Sequence, residues 1–137
     1  MDFTFHIEGG DFTNAGQASS KVKKILKQLN VAPETIKRVV ISLYEAEVNI
    51  VAHAYRGTIQ VNIELEKIYI KLTDEGPGIP DITLAMQEGY STASNRVREM
   101  GFGAGMGLPN MKKNADILSV SSNVNEGTVV EITTFLN

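Results

Sequence analysis

A helix of unusual composition, residues 43–55 (LYEAEVNIVAHAY), constrains this chain more than any other stretch. At about 100° per residue, apolar side chains cover most of its circumference, which predicts a helix buried on most sides. Glu45, Asn49 and His53 follow at intervals of four residues and therefore stack along one narrow polar strip. A carboxylate and a carboxamide one turn apart can share a metal ion or a water. The competing interpretation is the solvated face of an amphipathic helix.

Two residues of this helix resist a simple assignment. Glu47 falls near the middle of the apolar face, where a carboxylate requires a hydrogen-bonding partner or an open edge. Nothing in the sequence identifies that partner. His53 is interpreted as a structural histidine rather than a catalytic one, because a histidine beside a buried face commonly just forms a hydrogen bond.

Length and composition indicate one domain over residues 1–137, because 42% hydrophobic residues are enough for a single packed core. No apolar run approaches the ~20 residues of a membrane helix, and the N-terminus does not resemble a signal peptide. We therefore expect a soluble cytoplasmic protein without a membrane segment. The absence of cysteine excludes disulfides, thiolate zinc sites and cysteine nucleophiles.

The charge distribution gives no reason to expect a nucleic-acid partner, since the formal net charge is −3. A local cluster of four lysines lies between residues 21 and 27. We interpret it as the wet side of an amphipathic helix.

The first half of the chain reads as a strand followed by two helices. Apolar and polar side chains alternate over residues 3–7, which indicates a half-buried strand. Thr13 or Asn14 is expected to cap the first helix. Pro33 suits the first turn of the second helix, and Gly57 is expected to end it with a left-handed C-terminal cap.

The second half reads as a hairpin, short helices and a second hairpin. Alternation over residues 59–65 and 68–72 predicts an antiparallel hairpin with one wet face. The later elements are expected at residues 82–87 (short helix), 108–115 (short helix), 117–122 (strand) and 128–135 (strand). This order predicts an α+β fold, a two-layer sandwich with helices on one face of a mixed, largely antiparallel sheet.

A glycine-rich box, GFGAGMGL at residues 101–108, places a glycine at every second position and then begins a helix. Unhindered backbone N–H groups and a positive helix end can converge there on phosphates. A flexible linker or a tight turn would have the same composition. The box is not a P-loop, which needs Gly-Lys-Ser/Thr, and it comes too late in the chain for a dinucleotide fingerprint.

A second motif, Asp74-x-Gly76-x-Gly78, follows the predicted hairpin. Its carboxylate could accept a hydrogen bond from an exocyclic amine, and its glycines would let a ligand approach closely. An ordinary Asp-Gly turn is the alternative for this motif taken alone. Three such motifs in this order are an improbable coincidence.

Together, Glu45-x-x-x-Asn49, DEGPGI at residues 74–79, GFGAGMGL and Gly127-Thr128 resemble the GHKL ATP-binding superfamily over residues 36–135. The resemblance implies the Bergerat ATP-binding fold. Within the superfamily, the chain is similar to the stand-alone anti-sigma factors and stress-switch serine/threonine kinases. It looks closer to the RsbT-like kinases than to the RsbW-like anti-sigma branch.

Site roles follow from this resemblance. It implies that Asn49 ligates Mg²⁺ bridging the ATP phosphates and that Glu45 is the general base toward the attacking hydroxyl or water. Asp74 would bind the adenine amino group, assisted by Thr128 through a water. The remaining lining residues would be Gly76 and Gly78 beside adenine and ribose, and Gly103, Gly105, Met106, Gly107 and Leu108 beside the triphosphate.

The segment 88–102 would be the lid over ATP, and it is short compared with histidine-kinase lids. Its Arg96 and Arg98 would contact either phosphate or solvent.

The resemblance implies a protein serine/threonine kinase that phosphorylates a small STAS-type antagonist protein. One alternative is an anti-sigma factor that sequesters a sigma factor with ATP as a conformational ligand. Another is a detached histidine-kinase ATPase domain, which the short lid disfavours. The oligomeric state stays open, with a homodimer as one candidate.

Overall fold

The computed structural model describes residues 1–87 and 107–136. In these ranges the chain forms five strands and four α-helices, in the predicted order. They are β1 (Asp2–Glu8), α1 (Gln17–Gln28), α2 (Pro33–His53), β2 (Arg56–Ile63), β3 (Lys67–Glu75), α3 (Ile82–Ala85), α4 (Gly107–Asn114), β4 (Ile117–Asn123) and β5 (Gly127–Phe135).

The strands form one sheet in the order β1-β2-β3-β5-β4, and all four described pairings are antiparallel. β5 therefore lies inside the sheet beside β3, while β1 and β4 are the described edges. Alternation along β2 and β3 buries every second side chain, as the period of a strand requires. The predicted α+β sandwich is confirmed.

The hydrophobic core lies between the sheet and α2. Ile59, Ile70 and Ile132 from three neighbouring strands are fully buried, as are Val39 and Leu43 of α2. Burial of such side chains is the main stabilising contribution, about 1.5–3 kcal/mol for each. The 21-residue helix α2 packs its apolar face on this core, and this packing fixes where its polar strip lies.

The start of α1 differs from the prediction that Thr13 or Asn14 caps it. Asn14 belongs to a preceding 3₁₀ turn, Phe12–Asn14, and the residue before α1 is Gly16, whose φ is +96°. Gly16 has no side chain that could cap the helix. The capping group instead comes from Glu47, 31 residues later in the chain.

Glu47 is fully buried and accepts four hydrogen bonds at the start of α1. The backbone N–H groups of Gly16, Ala18 and Ser19 donate to its two carboxylate oxygens at 3.0–3.2 Å, and the Ser19 hydroxyl donates at 2.7 Å. Its charge faces the positive end of the helix dipole. This contact explains a carboxylate on the apolar face of α2, and it joins the two helices.

The prediction for the end of α2 was also wrong. The helix ends at His53, Ala54 is extended, and Gly57 lies inside β2 rather than in a left-handed cap. The Tyr55 N–H donates to the Glu75 carbonyl at 2.8 Å, so the chain is hydrogen-bonded to β3 as soon as the helix ends. Gly57 is needed for packing instead, because a Cβ there would lie 2.9 Å from the Ile50 side chain.

Among the described helices, none is both long and apolar enough to span a lipid bilayer.

Candidate nucleotide-binding site

The polar strip of α2 faces the start of α4. Glu45, Asn49 and His53 are each half-buried, on a helix whose opposite face lies in the core. Leu108 and Met111 are buried and anchor α4 to the same core. The strip is therefore enclosed between elements rather than being an ordinary solvated helix face.

Asn49 lies directly against Gly107, the first residue of α4. A Cβ built on Gly107 would lie 3.0 Å from Asn49 Oδ1 and 3.1 Å from Nδ2. Glycine at this position therefore allows the carboxamide to approach the helix start. Two of the residues that the sequence singled out are thus brought together by the fold.

Glu45 has a partner that the sequence analysis did not identify. The side-chain amide of Asn110 donates a hydrogen bond to Glu45 Oε1 at 3.2 Å. On α4, Asn110 follows Gly107 by three residues, and on α2, Asn49 follows Glu45 by four residues. The two residues on each helix are therefore about one turn apart. In the sequence, the only sign of this partner was an Asn at the fourth position of α4. It could be interpreted only once the two helices were known to pack together.

Asp74 lies at the end of β3 and reaches across to β5. The Thr128 N–H donates to Asp74 Oδ1 at 3.1 Å. Burial raises the pKa of the Asp74 carboxyl, and the hydrogen bond from Thr128 partly opposes this rise. Among the described residues no donor contacts Oδ2, so that oxygen can accept a hydrogen bond from a ligand.

A pair of hydroxyls fixes Thr128 and the turn after β3. Ser122 Oγ and Thr128 Oγ1 lie 2.9 Å apart, and the Ser122 hydroxyl also lies 3.0 Å from the Gly127 carbonyl. The Ile79 N–H donates to Ser122 Oγ at 2.7 Å. Ser122 therefore ties the DEGPGI turn to both strands of the second hairpin, a role that the sequence did not reveal.

The glycines of the Asp74 turn face protein rather than open space. A Cβ on Gly76 would lie 3.0 Å from the Ala54 Cα, and one on Gly78 would lie 2.5 Å from the Asn123 carbonyl oxygen. Gly78 also has a φ of +77°, which favours glycine. These residues are small so that the turn can pack on neighbouring backbone. Their predicted contact with a nucleotide stays a prediction.

The donor set fits a magnesium–phosphate ligand better than a metal held by protein alone. In residues 1–87 and 107–136, no three His, Cys, Asp or Glu side chains are grouped closely enough to hold a metal ion. Mg²⁺ commonly binds one or two protein oxygens together with phosphates and waters. The Asn49 carboxamide oxygen lies beside the start of α4 and is an oxygen of this kind. Its role as a Mg²⁺ ligand stays a prediction.

His53 lies one helical turn beyond Asn49 on the same strip and is half-buried. Burial lowers the pKa of its imidazole below the ordinary value, so the ring is neutral near pH 7.

Gly103, Gly105 and Met106, together with Arg96 and Arg98 of the predicted lid, lie outside the described residues. Gly107 and Leu108 are the part of the glycine box that the structure describes.

Comparison with known proteins identifies the family. The sequence profile described as "Histidine kinase-like ATPase domain" matches residues 11–134. The chain belongs to this family. Its sheet and helix arrangement is the predicted ATP-binding one, and an ATP ligand is consistent with the family description.

Two relatives in sequence are named as an anti-sigma factor and as a serine/threonine-protein kinase. The chain is 34% identical over 128 residues to "Anti-sigma F factor" of Thermoanaerobacter sp. (strain X514), covering 90% of this chain and 86% of that protein. It is 30% identical over 113 residues to "Serine/threonine-protein kinase RsbT" of Bacillus subtilis (strain 168), covering 80% and 79%. Both branches considered from the sequence are thus represented among its relatives.

Solved structures share the fold at low identity. A Mycobacterium tuberculosis protein with RsbU and RsbW domains superposes with a TM-score of 0.61 at 14% identity; the match covers 96% of this chain but only 32% of that one. The mycobacterial sensor histidine kinase MprB gives 0.56 at 15% identity, covering 98% and 97%.

Proposed function

We propose that this protein is an ATP-dependent serine/threonine kinase of a partner-switching pathway, which transfers the γ-phosphate of ATP to a small STAS-type antagonist protein. The observation that carries the proposal is the placement of Glu45 and Asn49 against the first turn of α4, where Asn110 and Gly107 contact them. A carboxylate, a carboxamide oxygen and a helix N-terminus are the groups that phosphoryl transfer needs.

Each residue has a distinct role in this proposal. The Asn49 carboxamide oxygen would hold Mg²⁺, which would neutralise charge on the phosphates. Glu45 accepts the proton of the attacking serine or threonine hydroxyl, while the hydroxyl oxygen bonds to the γ-phosphorus and the bond from that phosphorus to the ADP oxygen breaks. Asp74 accepts a hydrogen bond from the adenine amino group through Oδ2, and Thr128 assists it. The glycines of the box would line the triphosphate together with the backbone of Leu108, whose side chain is buried in the core.

A second candidate function is an anti-sigma module that sequesters a sigma factor, with ATP as a conformational ligand. The relatives named anti-sigma F factor favour it. The two functions share every site residue, so only the presence or absence of a phosphorylated partner protein distinguishes them.

Incubation with Mg-ATP and the small antagonist-like proteins encoded beside this chain tests the proposal. The expected product is an acid-stable phosphoserine or phosphothreonine on one partner, detected by mass spectrometry. Glu45→Gln should form it roughly 10²–10⁴-fold more slowly while still binding ATP. Tight sigma-factor binding without phosphorylation of any partner would overturn the kinase proposal in favour of the anti-sigma one. An acid-labile phosphohistidine would instead indicate a histidine kinase.

A further inference from the structure

One hydrogen bond and one close approach join the polar strip of α2 to α4 within a mostly apolar interface. Asn110 Nδ2 donates to Glu45 Oε1, and Gly107 lies against the Asn49 carboxamide. The two contacts run in opposite directions along the two helices, so two of the three residues of the strip, Glu45 and Asn49, each have a partner on α4. Such a match fixes the orientation of side chains, which apolar packing alone does not.

The backbone that carries Asn110 is itself held in place. Its neighbours Leu108 and Met111 are buried in the core. Its carbonyl accepts a hydrogen bond from the Asn114 side chain at 2.9 Å. With the backbone anchored on both sides, the half-buried Asn110 amide is held toward Glu45 rather than solvent.

The chemistry of this contact suits a general base. An isolated glutamate side chain has three rotatable bonds, and holding it in one geometry has an entropic cost. One hydrogen bond to Oε1 restricts the carboxylate, and among the described residues no donor contacts Oε2, which is left to accept a proton. A carboxamide is also neutral, whereas a lysine or arginine there would favour the charged carboxylate and make it a weaker base.

We propose that Asn110 is a positioning residue that holds the Glu45 carboxylate in the orientation for proton acceptance. This inference rests on the proposed function, in which Glu45 is the base. Asn110 acts through Glu45 and contacts neither nucleotide nor acceptor. Because α4 continues directly from the glycine box, the orientation of the base depends on where that helix sits.

The first test is the rate of γ-phosphate loss from Mg-ATP, to water or to a partner protein, by the full chain. Asn110→Ala should lower kcat by about 10- to 100-fold, the cost of a misplaced catalytic group, with little change in the dissociation constant for ATP. Lys112→Ala is the control, because it truncates an exposed side chain of the same helix and should retain kcat.

The isosteric variant Asn110→Asp should change the kcat–pH profile, which replacement of a purely structural residue would leave unchanged. Its carboxylate would face Glu45 Oε1, and two carboxylates sharing one site raise the pKa of the pair. The acid limb of the kcat–pH profile should therefore move to higher pH. An unshifted profile with wild-type kcat would overturn the inference.

A double-mutant cycle identifies the residue through which Asn110 acts. If it acts through Glu45, Asn110→Ala should cost far less in the Glu45→Gln background than in wild type. Additive losses, or a loss of ATP affinity in place of kcat, would contradict this. Full activity in Glu45→Gln alone would show that the proposed base is wrong, whereas a slow Glu45→Gln with an unaffected Asn110→Asp would refute only the positioning role.

Discussion

Asp74 is a half-buried carboxylate whose two oxygens have different surroundings. Oδ1 accepts the Thr128 N–H, while Oδ2 faces no donor among the described residues. Burial raises the pKa of this carboxyl. In its ionised form it could accept a hydrogen bond from the adenine amine, and it takes up a proton at a higher pH than an exposed aspartate does.

We therefore predict that ATP affinity falls as the pH is lowered and that the fall begins above the ordinary range for an aspartate. The sign follows because protonation replaces an acceptor with a donor that faces the adenine amine. Calorimetric titration of ATP across the acid range measures this. Asp74→Asn should show weak affinity with a flatter profile, and a wild-type affinity independent of pH would contradict the assignment.

Removal of the Glu47 side chain should destabilise the fold at the start of α1. Glu47→Ala would leave buried N–H groups at Gly16, Ala18 and Ser19 without their acceptor. We predict a loss of about 1–3 kcal/mol in the free energy of unfolding, the cost of unsatisfied buried polar groups. Urea denaturation provides the measurement. Glu34→Gln, an exposed change on the same helix, is the control and should cost less than about 1 kcal/mol.

At the scale of elements, the start of α4 must stay close to α2. A methyl group at Gly107 would lie 3.0 Å from Asn49 Oδ1, so the carboxamide would have to shift by a few tenths of an ångström. We predict that Gly107→Ala displaces the Asn49 carboxamide and weakens the Mg²⁺-dependent part of ATP affinity. Isothermal titration with and without Mg²⁺ measures that part. In the Asn49→Ala background the same change should have little further effect, and an equal effect there would refute the link.

The elements themselves were predictable because their signals are local. Alternation along β2 and β3 and the 3.6-residue period of α2 follow from which side chains face the core. The start of α2 at Pro33 was also predicted correctly. The start of α1 and the end of α2 were not predictable, because their partners are distant in sequence. Glu47 of α2 caps the start of α1, and the Glu75 carbonyl accepts a hydrogen bond from the Tyr55 N–H just after α2 ends.

The candidate site was only partly visible in the sequence, and the roles of its residues toward ATP stay predictions. Glu45, Asn49 and Asp74 lie in motifs whose spacing has a chemical reason. Asn110 and Ser122 could not be identified, because each acquires a role only when α4 packs on α2 or when the second hairpin meets the Asp74 turn.

At the scale of the whole molecule, Asp116 joins the helical layer to the end of the sheet. Arg38 of α2 donates to its Oδ1 at 2.8 Å, and the Phe135 N–H of β5 donates to its Oδ2 at 2.7 Å. The hydrogen bond from Arg38, followed by that from Phe135, holds the pKa of Asp116 below its ordinary value. Both side chains are partly exposed, so the pair stabilises by less than about 1 kcal/mol.

The pH dependence has a definite sign. Because the native pKa of Asp116 is depressed, its stabilisation is present at neutral pH and is lost as the pH falls through that native pKa. Thermal melts of wild type and Asp116→Asn should therefore differ at pH 7 and converge in strong acid. A constant difference across this range would show that Asp116 acts through packing instead.

The separation of roles between Glu45 and Asp74 is the central claim, and calorimetric titration of Mg-ATP into their neutralised variants tests it most directly. Glu45→Gln should bind ATP like wild type, although it should lose roughly 10²–10⁴ in phosphoryl-transfer rate. Asp74→Asn should lose about 1–3 kcal/mol of binding free energy. ATP affinity lost in Glu45→Gln but kept in Asp74→Asn would contradict the account.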